Sequence, residues 1–147
     1  QAENAQKTCC ALSDVEDARS VAYKLGFEHL VFNFKDNFKE YVMNQFAESY
    51  LCGATPNPCI ECNRHIKFDK MLRRAMELEY DYIATGHYAI NEYDESRKRY
   101  LLKRPADRSK DQTYVLYSLT QNQLAHTLFP LGNLKKSQVR EIAEEAG

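Results

Sequence analysis

Two cysteines separated by two residues, Cys59 and Cys62, are the side chains of this sequence best suited to covalent chemistry. Thiols at this spacing can form a disulfide, share a metal ion, or favour each other's thiolate form. The sequence predicts that they lie where a loop leads into a helix, with Cys59 in the loop and Cys62 at the start of the helix. The partial positive charge of a helix N-terminus favours a thiolate at Cys62.

A metal site is the first alternative use of this cysteine pair. A structural zinc site takes about four protein ligands, and the chain has no second C-x-x-C or C-x-x-H. Cys52, His65 and His87 would have to join at irregular spacing, so zinc or an iron–sulfur cluster at Cys59 and Cys62 is not favoured. The function that such a site would support, a metal or iron–sulfur module of a nucleic-acid-binding protein, stays open at this point.

The other three of the five cysteines are expected to be structural. Cys9 and Cys10 are adjacent, so their side chains diverge, as is typical of ordinary packing or surface positions. Cys52 follows an apolar helical stripe and is expected in the core, because a free cysteine behaves as a small hydrophobe.

Basic residues cluster in two stretches that could meet phosphate groups. From Arg97 to Lys110, seven lysines and arginines accompany one acid, Asp107, and a shorter stretch runs from Arg64 to Arg74. The alternative is a solvated face, since charges that cluster in sequence need not cluster in space. Tyr114 and Tyr117 could stack on bases, although their spacing is more typical of one helical face packing inward.

The spacing of apolar residues predicts an α/β fold, a parallel sheet with crossover helices that positions these groups. Two prolines make the loop from Thr55 to Cys59 rigid, because each fixes φ and removes a backbone donor. The last helix is expected to turn Val139, Ile142, Ala143 and Ala146 inward. The predicted helices are Ser13 to Gly26, Asn37 to near Gly53, Phe68 to Met76 and Ser137 to Ala146, with helical pieces at Tyr114 to Leu119 and Gln121 to Ala125. The predicted strands are Leu30 to Phe34 and Tyr82 to Gly86, followed by a hairpin of Tyr88 to Tyr93 and Lys98 to Lys103.

Size and composition fit one globular domain, with 147 residues of which 44% are hydrophobic and 28% charged. No apolar run approaches the ~18 residues of a membrane-spanning helix. The first residues are acidic where a signal peptide would be basic and then apolar, so a cytoplasmic location without a membrane partner is expected. A doubly wound domain should begin with a strand, and this chain begins just before a helix. We therefore expect residues 1–147 to be one partial domain, truncated at both ends.

Four blocks of sequence, in order and with consistent gaps, resemble one family. They are GATPNPCIECNRHIKF from Gly53 to Phe68, DYIATGHYA from Asp81 to Ala89, KDQTY from Lys110 to Tyr114, and LFPLG from Leu128 to Gly132. From about Cys9 to Gly147 the chain resembles the bacterial tRNA-specific 2-thiouridylases, the MnmA or TrmU family, also labelled tRNA methyltransferases. No glycine-rich S-adenosylmethionine loop follows a strand, so methyl transfer is not expected.

This resemblance implies a fold of the PP-loop ATP-pyrophosphatase type, similar to adenine nucleotide alpha hydrolases. It also implies ATP, with Mg²⁺, as the cofactor. The enzyme would adenylate the C2 oxygen of the wobble uridine of a tRNA and replace that oxygen with sulfur from a cysteine persulfide. Attaching AMP turns the oxygen into a leaving group that a soft sulfur nucleophile can displace. The implied partners are tRNA and a sulfur-donor protein, either a persulfide relay or a cysteine desulfurase.

The resemblance also assigns roles to individual residues. Cys62 is implied as the first catalytic cysteine, and Gly86 as an ATP contact. Gly86 could instead be a simple turn glycine, but ligands of parallel sheets lie beyond the carboxyl ends of strands, where Gly86 falls. The implied contacts to the target base are Asn57, Pro58 and Cys59, and the implied contacts to tRNA are Lys110, Asp111 and Gln112.

Two departures from the family pattern bear on these roles. Cys59 stands where the family most often has aspartate, so a carboxylate near the base is here a thiol. The family's phosphate loop of SGGxDS type and its second, persulfide-carrying cysteine are absent from these residues. Residues 1–147 are therefore expected to be part of the ATP- and tRNA-binding catalytic domain and to be inactive alone.

Overall fold

The computed structural model describes residues 12–147, so Cys9 and Cys10 lie outside the described residues. The chain divides into two compact units, one ending at Phe34 and one running from Lys35 to Gly147. Each unit is described by itself below.

The first unit contains helix α1, Leu12–Leu25. It ends at Gly26, whose φ of +76° is the left-handed conformation that glycine adopts without strain. The predicted helix from Ser13 to Gly26 is confirmed. The predicted strand from Leu30 to Phe34 is wrong, because these residues pair with no strand among the described residues and Leu30, Val31 and Phe32 are exposed. An apolar run has strand length but becomes a strand only when another backbone accepts its hydrogen bonds.

Helix α2 opens the second unit as Lys35–Phe38, continues as the π-helical segment Lys39–Asn44, and ends as Gln45–Leu51. It begins two residues before the predicted Asn37 and ends just before Gly53, whose φ is +80°. Val42 is buried on its inner face. Cys52 is exposed and not in the core as predicted. It lies just past the last helical residue, where the chain turns towards Gly53.

Helix α3 carries the cysteine pair. Its consecutive segments are Pro58–Glu61, the π-helical Cys62–Met71, and Leu72–Glu77. The helix begins with Pro58, where a fixed φ near the helical value helps and the missing N–H is not needed. It therefore starts ten residues before the predicted Phe68 and includes both Cys59 and Cys62.

The strands form two small sheets. Strand β1, Ile83–Ala84, pairs in parallel with β4, Thr127–Leu128, and β2, Ile90–Asp94, pairs antiparallel with β3, Arg99–Lys103. Helix α4, Gln121–Ala125, precedes β4, and α5, Lys136–Ala146, closes the described chain. The α/β class, the parallel pairing and the predicted hairpin are confirmed, and the strand predicted from Tyr82 to Gly86 is shortened to two residues.

The core joins α3 to the segment that follows β1. Phe68 and Leu72 of α3 pack with Ile83 of β1 and with Ala89 beyond it, and Val115 and Leu116 complete the buried cluster. The backbone carbonyl of Phe68 also accepts a hydrogen bond of 2.8 Å from Gln123 Nε2. The cysteine-bearing helix and the loop that carries Gly86 are therefore fixed by the same packing.

Helix α5 does not turn an apolar face inward as predicted. Its residues include none that are buried, and Ile142 is 53% exposed. The amphipathic pattern predicts a helix correctly, but burial needs a covering element, and none within residues 12–147 covers this face. In the same described part of the chain, no helix combines the length and the apolar character needed to cross a membrane.

Candidate functional site

The start of α3 is fixed by the side chain of Asn57. Asn57 is the N-cap, and its Oδ1 accepts a hydrogen bond of 3.0 Å from the backbone N–H of Cys59. Such a cap satisfies one of the donors that a helix leaves unpaired in its first turn. The three residues implied as target-base contacts, Asn57, Pro58 and Cys59, therefore form one rigid helix start.

The cysteine pair lies on this helix in an arrangement that differs from the prediction. Cys59 is the second helical residue and is exposed, whereas Cys62 is half-buried and its N–H bonds to the carbonyls of Cys59 and Pro58. The prediction that Cys62 begins the helix and Cys59 lies outside it is wrong. The favourable field of a helix terminus is confined to the first turn, so that argument applies to position 59 and not to Cys62.

Cys52, Cys59 and Cys62 form no disulfide with one another. Among residues 12–147 no group of three or more His, Cys, Asp or Glu side chains is arranged to hold a metal ion. His65, one of the residues that a zinc site would have recruited, is engaged elsewhere. Its Nε2 lies 3.2 Å from Glu61 Oε2, and its ring stacks on Tyr41 of α2 with centroids 4.9 Å apart. His65 thus ties α3 to α2 through Tyr41. The spacing of four residues could have suggested the pair with Glu61 within α3, but not the contact with Tyr41.

A small cleft of about 150 Å³ opens between α2 and the start of α3. Asn57, Pro58 and Glu61 line it together with Tyr117, whose hydroxyl accepts a 3.4 Å hydrogen bond from Arg64 Nη2. The helix start that the resemblance assigns to the target base therefore borders a cavity with a tyrosine at its edge.

Gly86 lies in the loop just beyond the carboxyl end of β1, in a cleft of about 400 Å³. Its φ is not in the left-handed region. A Cβ at this position would meet only Leu131 Cδ1, at an ordinary contact distance of 3.8 Å. Neither a turn nor the packing of the described residues requires glycine here. The absence of a side chain leaves the backbone open to close approach by a ligand.

His87, next to Gly86, is buried and neutral. It is 8% exposed, and its Nδ1 lies 2.9 Å from Thr85 Oγ1. Burial, together with the smaller effect of the nearby Lys67 ammonium, lowers the pKa of His87 from 6.5 to about 4. At neutral pH, Lys67 is therefore the charged side chain among the described residues that line this cleft.

The structure brings Lys110, Asp111 and Gln112 to Gly86, although more than twenty residues separate them in sequence. Gln112 Oε1 accepts a hydrogen bond of 3.0 Å from the N–H of Tyr88, and the N–H of Gln112 donates a hydrogen bond of 3.1 Å to the carbonyl of Tyr88. Gly86, Lys110, Asp111 and Gln112 line a common cleft of about 430 Å³. Neither Cys59 nor Cys62 lines this cleft or the neighbouring one.

Asp111 and Gln112 are held by other parts of the protein. Asp111 Oδ1 accepts from the backbone N–H and the hydroxyl of Thr113, at 3.0 and 2.7 Å, and Oδ2 pairs with Arg104 Nε at 2.6 Å. Slight burial raises the pKa of Asp111, but the bonds from Thr113 and Arg104 outweigh it and the net shift is downward. Lys110 is the exposed member of the three and the one able to reach an outside phosphate.

Most of the basic stretch is neutralised within the protein. Four of its cations form ion pairs: Arg97 with Asp94, Lys98 with Glu95, Lys103 with Glu92, and Arg104 with Asp111. Hydrogen bonding from Ser96, with further bonds from Arg97, lowers the pKa of Asp94 to about 2. Three of the four hairpin cations are therefore paired internally, whereas Arg99, Arg108 and Lys110 form no such ion pair among the described residues.

Tyr114 and Tyr117 do not pack inward as predicted. They are 61% and 64% exposed, because Thr113–Val115 is only a short 3₁₀ turn whose buried residues are Val115 and the following Leu116. Both rings are thus open to contact with a partner.

Comparison with known proteins places this geometry in context. A family model described as the tRNA methyl transferase HUP domain matches residues 1–147. The protein named tRNA-specific 2-thiouridylase MnmA 1 of Thermoanaerobacter pseudethanolicus is 61% identical over 95% of this chain and 38% of its own length. The MnmA proteins of Acetivibrio thermocellus and Clostridioides difficile are each 58% identical over 95% of this chain. The chain spans 39% of the length of the Acetivibrio thermocellus protein and 38% of the length of the Clostridioides difficile protein.

Proposed function

The chain belongs to the family described as the tRNA methyl transferase HUP domain, an α/β fold of the PP-loop type, and on that premise we propose that it is part of a tRNA 2-thiouridylase. The names of its relatives support thiolation of tRNA as the activity. The proposed nucleotide is ATP with Mg²⁺, the proposed substrate is tRNA, and the proposed sulfur source is a persulfide-donor protein. Because the substrate is tRNA, the proposed compartment is the cytoplasm.

The observation that carries the proposal is the cleft shared by Gly86 and the segment from Lys110 to Gln112. These positions, implied separately as ATP and tRNA contacts, are joined by the two hydrogen bonds between Gln112 and Tyr88. A reaction that transfers AMP to an RNA base needs the nucleotide and the RNA side by side. The cleft supports such an arrangement at the carboxyl end of β1, where parallel sheets bind ligands.

ATP, when bound, supplies the AMP that turns the C2 oxygen of uridine into a leaving group. Pyrophosphate would leave as AMP is transferred, and the terminal sulfur of the donor persulfide would then bond to C2 while the C2–O bond breaks and AMP departs with that oxygen. A thiolate that attacks the S–S bond of the persulfide would release the 2-thiouridine and leave a disulfide with the donor cysteine. Of this chain's residues, Gly86 leaves room for the nucleotide and Lys67 places a positive charge in the same cleft. We assign the half-buried thiol of Cys62 to the sulfur-transfer step, and the helix start at Asn57, Pro58 and Cys59 to holding the target base.

The test compares three cysteine substitutions in the full-length protein that contains this chain. Cys62→Ser should abolish 2-thiouridine in tRNA, measured by mass spectrometry in a complementation assay. Cys59→Asp should retain at least part of it, because this helix-start position is exposed and the family resemblance implies that aspartate is the residue most often found there. Cys52→Ser is the matched control, since Cys52 is also an exposed thiol but lies outside the site.

The alternative hypothesis, a metal or iron–sulfur module at Cys59 and Cys62, makes the opposite prediction. It requires a stoichiometric metal that is lost with both Cys59→Asp and Cys62→Ser, with both variants equally inactive. Wild-type levels of 2-thiouridine in the Cys62→Ser strain would contradict the assignment of Cys62.

A further inference from the structure

A second lysine lies in the cleft that Lys110 lines. It is Lys136, the first residue of α5, which the sequence blocks left without a role. The two lysines are 26 positions apart in sequence, and they reach the same cleft from different elements. Lys110 comes from the 3₁₀ turn Arg108–Lys110, and Lys136 comes from the start of the helix.

Asp107 holds the two lysine backbones in place. Its backbone carbonyl accepts a hydrogen bond of 3.0 Å from the N–H of Lys110, and its Oδ2 accepts a hydrogen bond of 3.0 Å from the N–H of Lys136. Its Oδ1 accepts from the N–H and the hydroxyl of Ser109, at 3.1 and 2.7 Å. One aspartate therefore fixes the turn and the helix start relative to each other, and both lysines line the same cleft.

The positive charge of the two side chains is not neutralised by a close ion pair. Within residues 12–147 neither Lys110 nor Lys136 forms one, and the nearby Asp111 is already paired with Arg104 at 2.6 Å. The Asp107 carboxylate offsets the charge only in part: its pKa is lowered chiefly by the hydrogen bond from the Ser109 hydroxyl, and the Lys110 ammonium makes a smaller contribution. Lys136 Nζ lies 5.9 Å from the ring centre of Tyr88, a residue only 6% exposed. This cation–π contact orients the ammonium group of Lys136 without neutralising its charge.

The geometry points to a phosphate site: we propose that Lys110 and Lys136 together bind one phosphodiester of the RNA substrate. An exposed aromatic ring extends the site, since Tyr114 lines the same cleft and is 61% exposed. Two cations on a phosphate with a ring free to stack on the adjacent base is the arrangement that binds unpaired nucleotides. Gly86 borders the cleft as well, so a nucleotide phosphate shares the chemistry, but the open ring of Tyr114 favours RNA. This inference rests on the proposed function and names a part of its substrate site.

The test measures the salt dependence of tRNA binding by the full-length protein. Each phosphate contact contributes about 0.7 to 0.9 to the slope of log K against log salt. Lys136→Gln and Lys110→Gln should each lower the slope by about that amount, and the double variant by about twice as much. Tyr114→Ala should weaken binding about tenfold with the slope unchanged. Lys98→Gln, which removes an exposed lysine paired with Glu95, is the control and should leave the slope unchanged.

Two further measurements distinguish the loss of a phosphate contact from misfolding and from a defect in ATP binding. Lys136→Arg preserves the charge and the helix start and should restore the wild-type slope, which separates loss of a contact from loss of fold. ATP affinity should be the same in Lys136→Gln and wild type. A Lys136→Gln protein that binds tRNA with the wild-type slope, or that loses only ATP affinity, overturns this inference and leaves the proposed function intact. A wild-type protein that binds no tRNA overturns both.

Discussion

His87 shows how a single side chain makes stability depend on pH. The pKa of this imidazole is lowered from 6.5 to about 4, first by burial and then by the charge of Lys67. The folded protein therefore keeps His87 neutral where the unfolded chain protonates it. Between pH 6.5 and about 4 the unfolded state binds more protons, so stability rises with pH across that window.

We expect His87→Asn to flatten this pH dependence. In the wild type the contribution of His87 is fully present above pH 6.5 and is lost as pH falls towards 4, with a range of at most about 3 kcal/mol. Urea denaturation of the full-length protein at several pH values in that window measures the slope of unfolding free energy. If wild type and His87→Asn lose stability in parallel on acidification, another group is responsible.

At the same scale, the hydrogen bonds of Asp111 and Gln112 change how their implied roles are understood. Both side chains are committed to neighbouring segments, Asp111 to Thr113 and Arg104, and Gln112 to Tyr88. These bonds support a role for both residues in positioning Lys110, while their implied contacts with tRNA stay a prediction. A motif read from sequence does not distinguish the side chain that reaches a ligand from those that hold it in place.

At the scale of elements, the loop between β4 and α5 depends on a close backbone approach at Gly132. A Cβ at this position would overlap the carbonyl group of Ala89. The carbonyl of Gly132 also accepts a hydrogen bond of 2.8 Å from the N–H of Ala106. This contact fixes the loop that leads to Lys136 against the segment that follows Gly86. Gly132 is thus required by the packing of the protein, whereas Gly86 is not.

The two glycines should respond differently to alanine. Gly132→Ala should destabilise the protein by about 1 to 3 kcal/mol, because backbone atoms cannot move aside as a flexible side chain can. Gly86→Ala should leave stability nearly unchanged, since its Cβ meets only Leu131 at 3.8 Å, but should weaken ATP binding. Thermal melting and calorimetric titration with ATP measure the two effects. A destabilised Gly86→Ala with normal ATP affinity would reverse the assignment.

At the scale of the whole molecule, the net charge of −1 conceals an uneven distribution. Arg97, Lys98 and Lys103 of the hairpin are paired with local acids, and each exposed pair of this kind is worth only about 0 to 1 kcal/mol. Among the cations of the described residues without such a pair, Lys110 and Lys136 line the same cleft. The site is therefore smaller than the basic stretch from Arg97 to Lys110 suggests.

A combined substitution separates the hairpin from the cleft. Replacing Arg97, Lys98 and Lys103 together with alanine should leave the salt slope of tRNA binding nearly unchanged, because each is already paired. Lys110→Ala alone should lower it by about 0.7 to 0.9. Filter binding at several salt concentrations measures both slopes. A larger loss of slope in the hairpin variant would return the tRNA contact to the hairpin.

Local signals in the sequence were sufficient for several elements. Helix α1 ends at Gly26 because glycine adopts positive φ without strain, and the hairpin forms around a polar turn between alternating strands. The α/β class follows from the order of such elements. The family resemblance likewise needed only ordered blocks of residues, because these blocks lie within continuous stretches of chain. Properties of this kind depend on near neighbours, which a sequence displays directly.

Burial and pairing depended instead on partners distant in sequence. Leu30 to Phe34 forms no strand, Cys52 and Tyr114 are exposed, and α3 begins at Pro58, ten residues before the predicted start of its apolar stripe. Gly86, Lys110 and Lys136 share a cleft only because Gln112 bonds to Tyr88 and Asp107 bonds to the start of α5. Each of these outcomes depends on which parts of the folded chain pack against one another. The periodicity of apolar residues indicates that a face tends to be buried, but it does not identify the element that buries it.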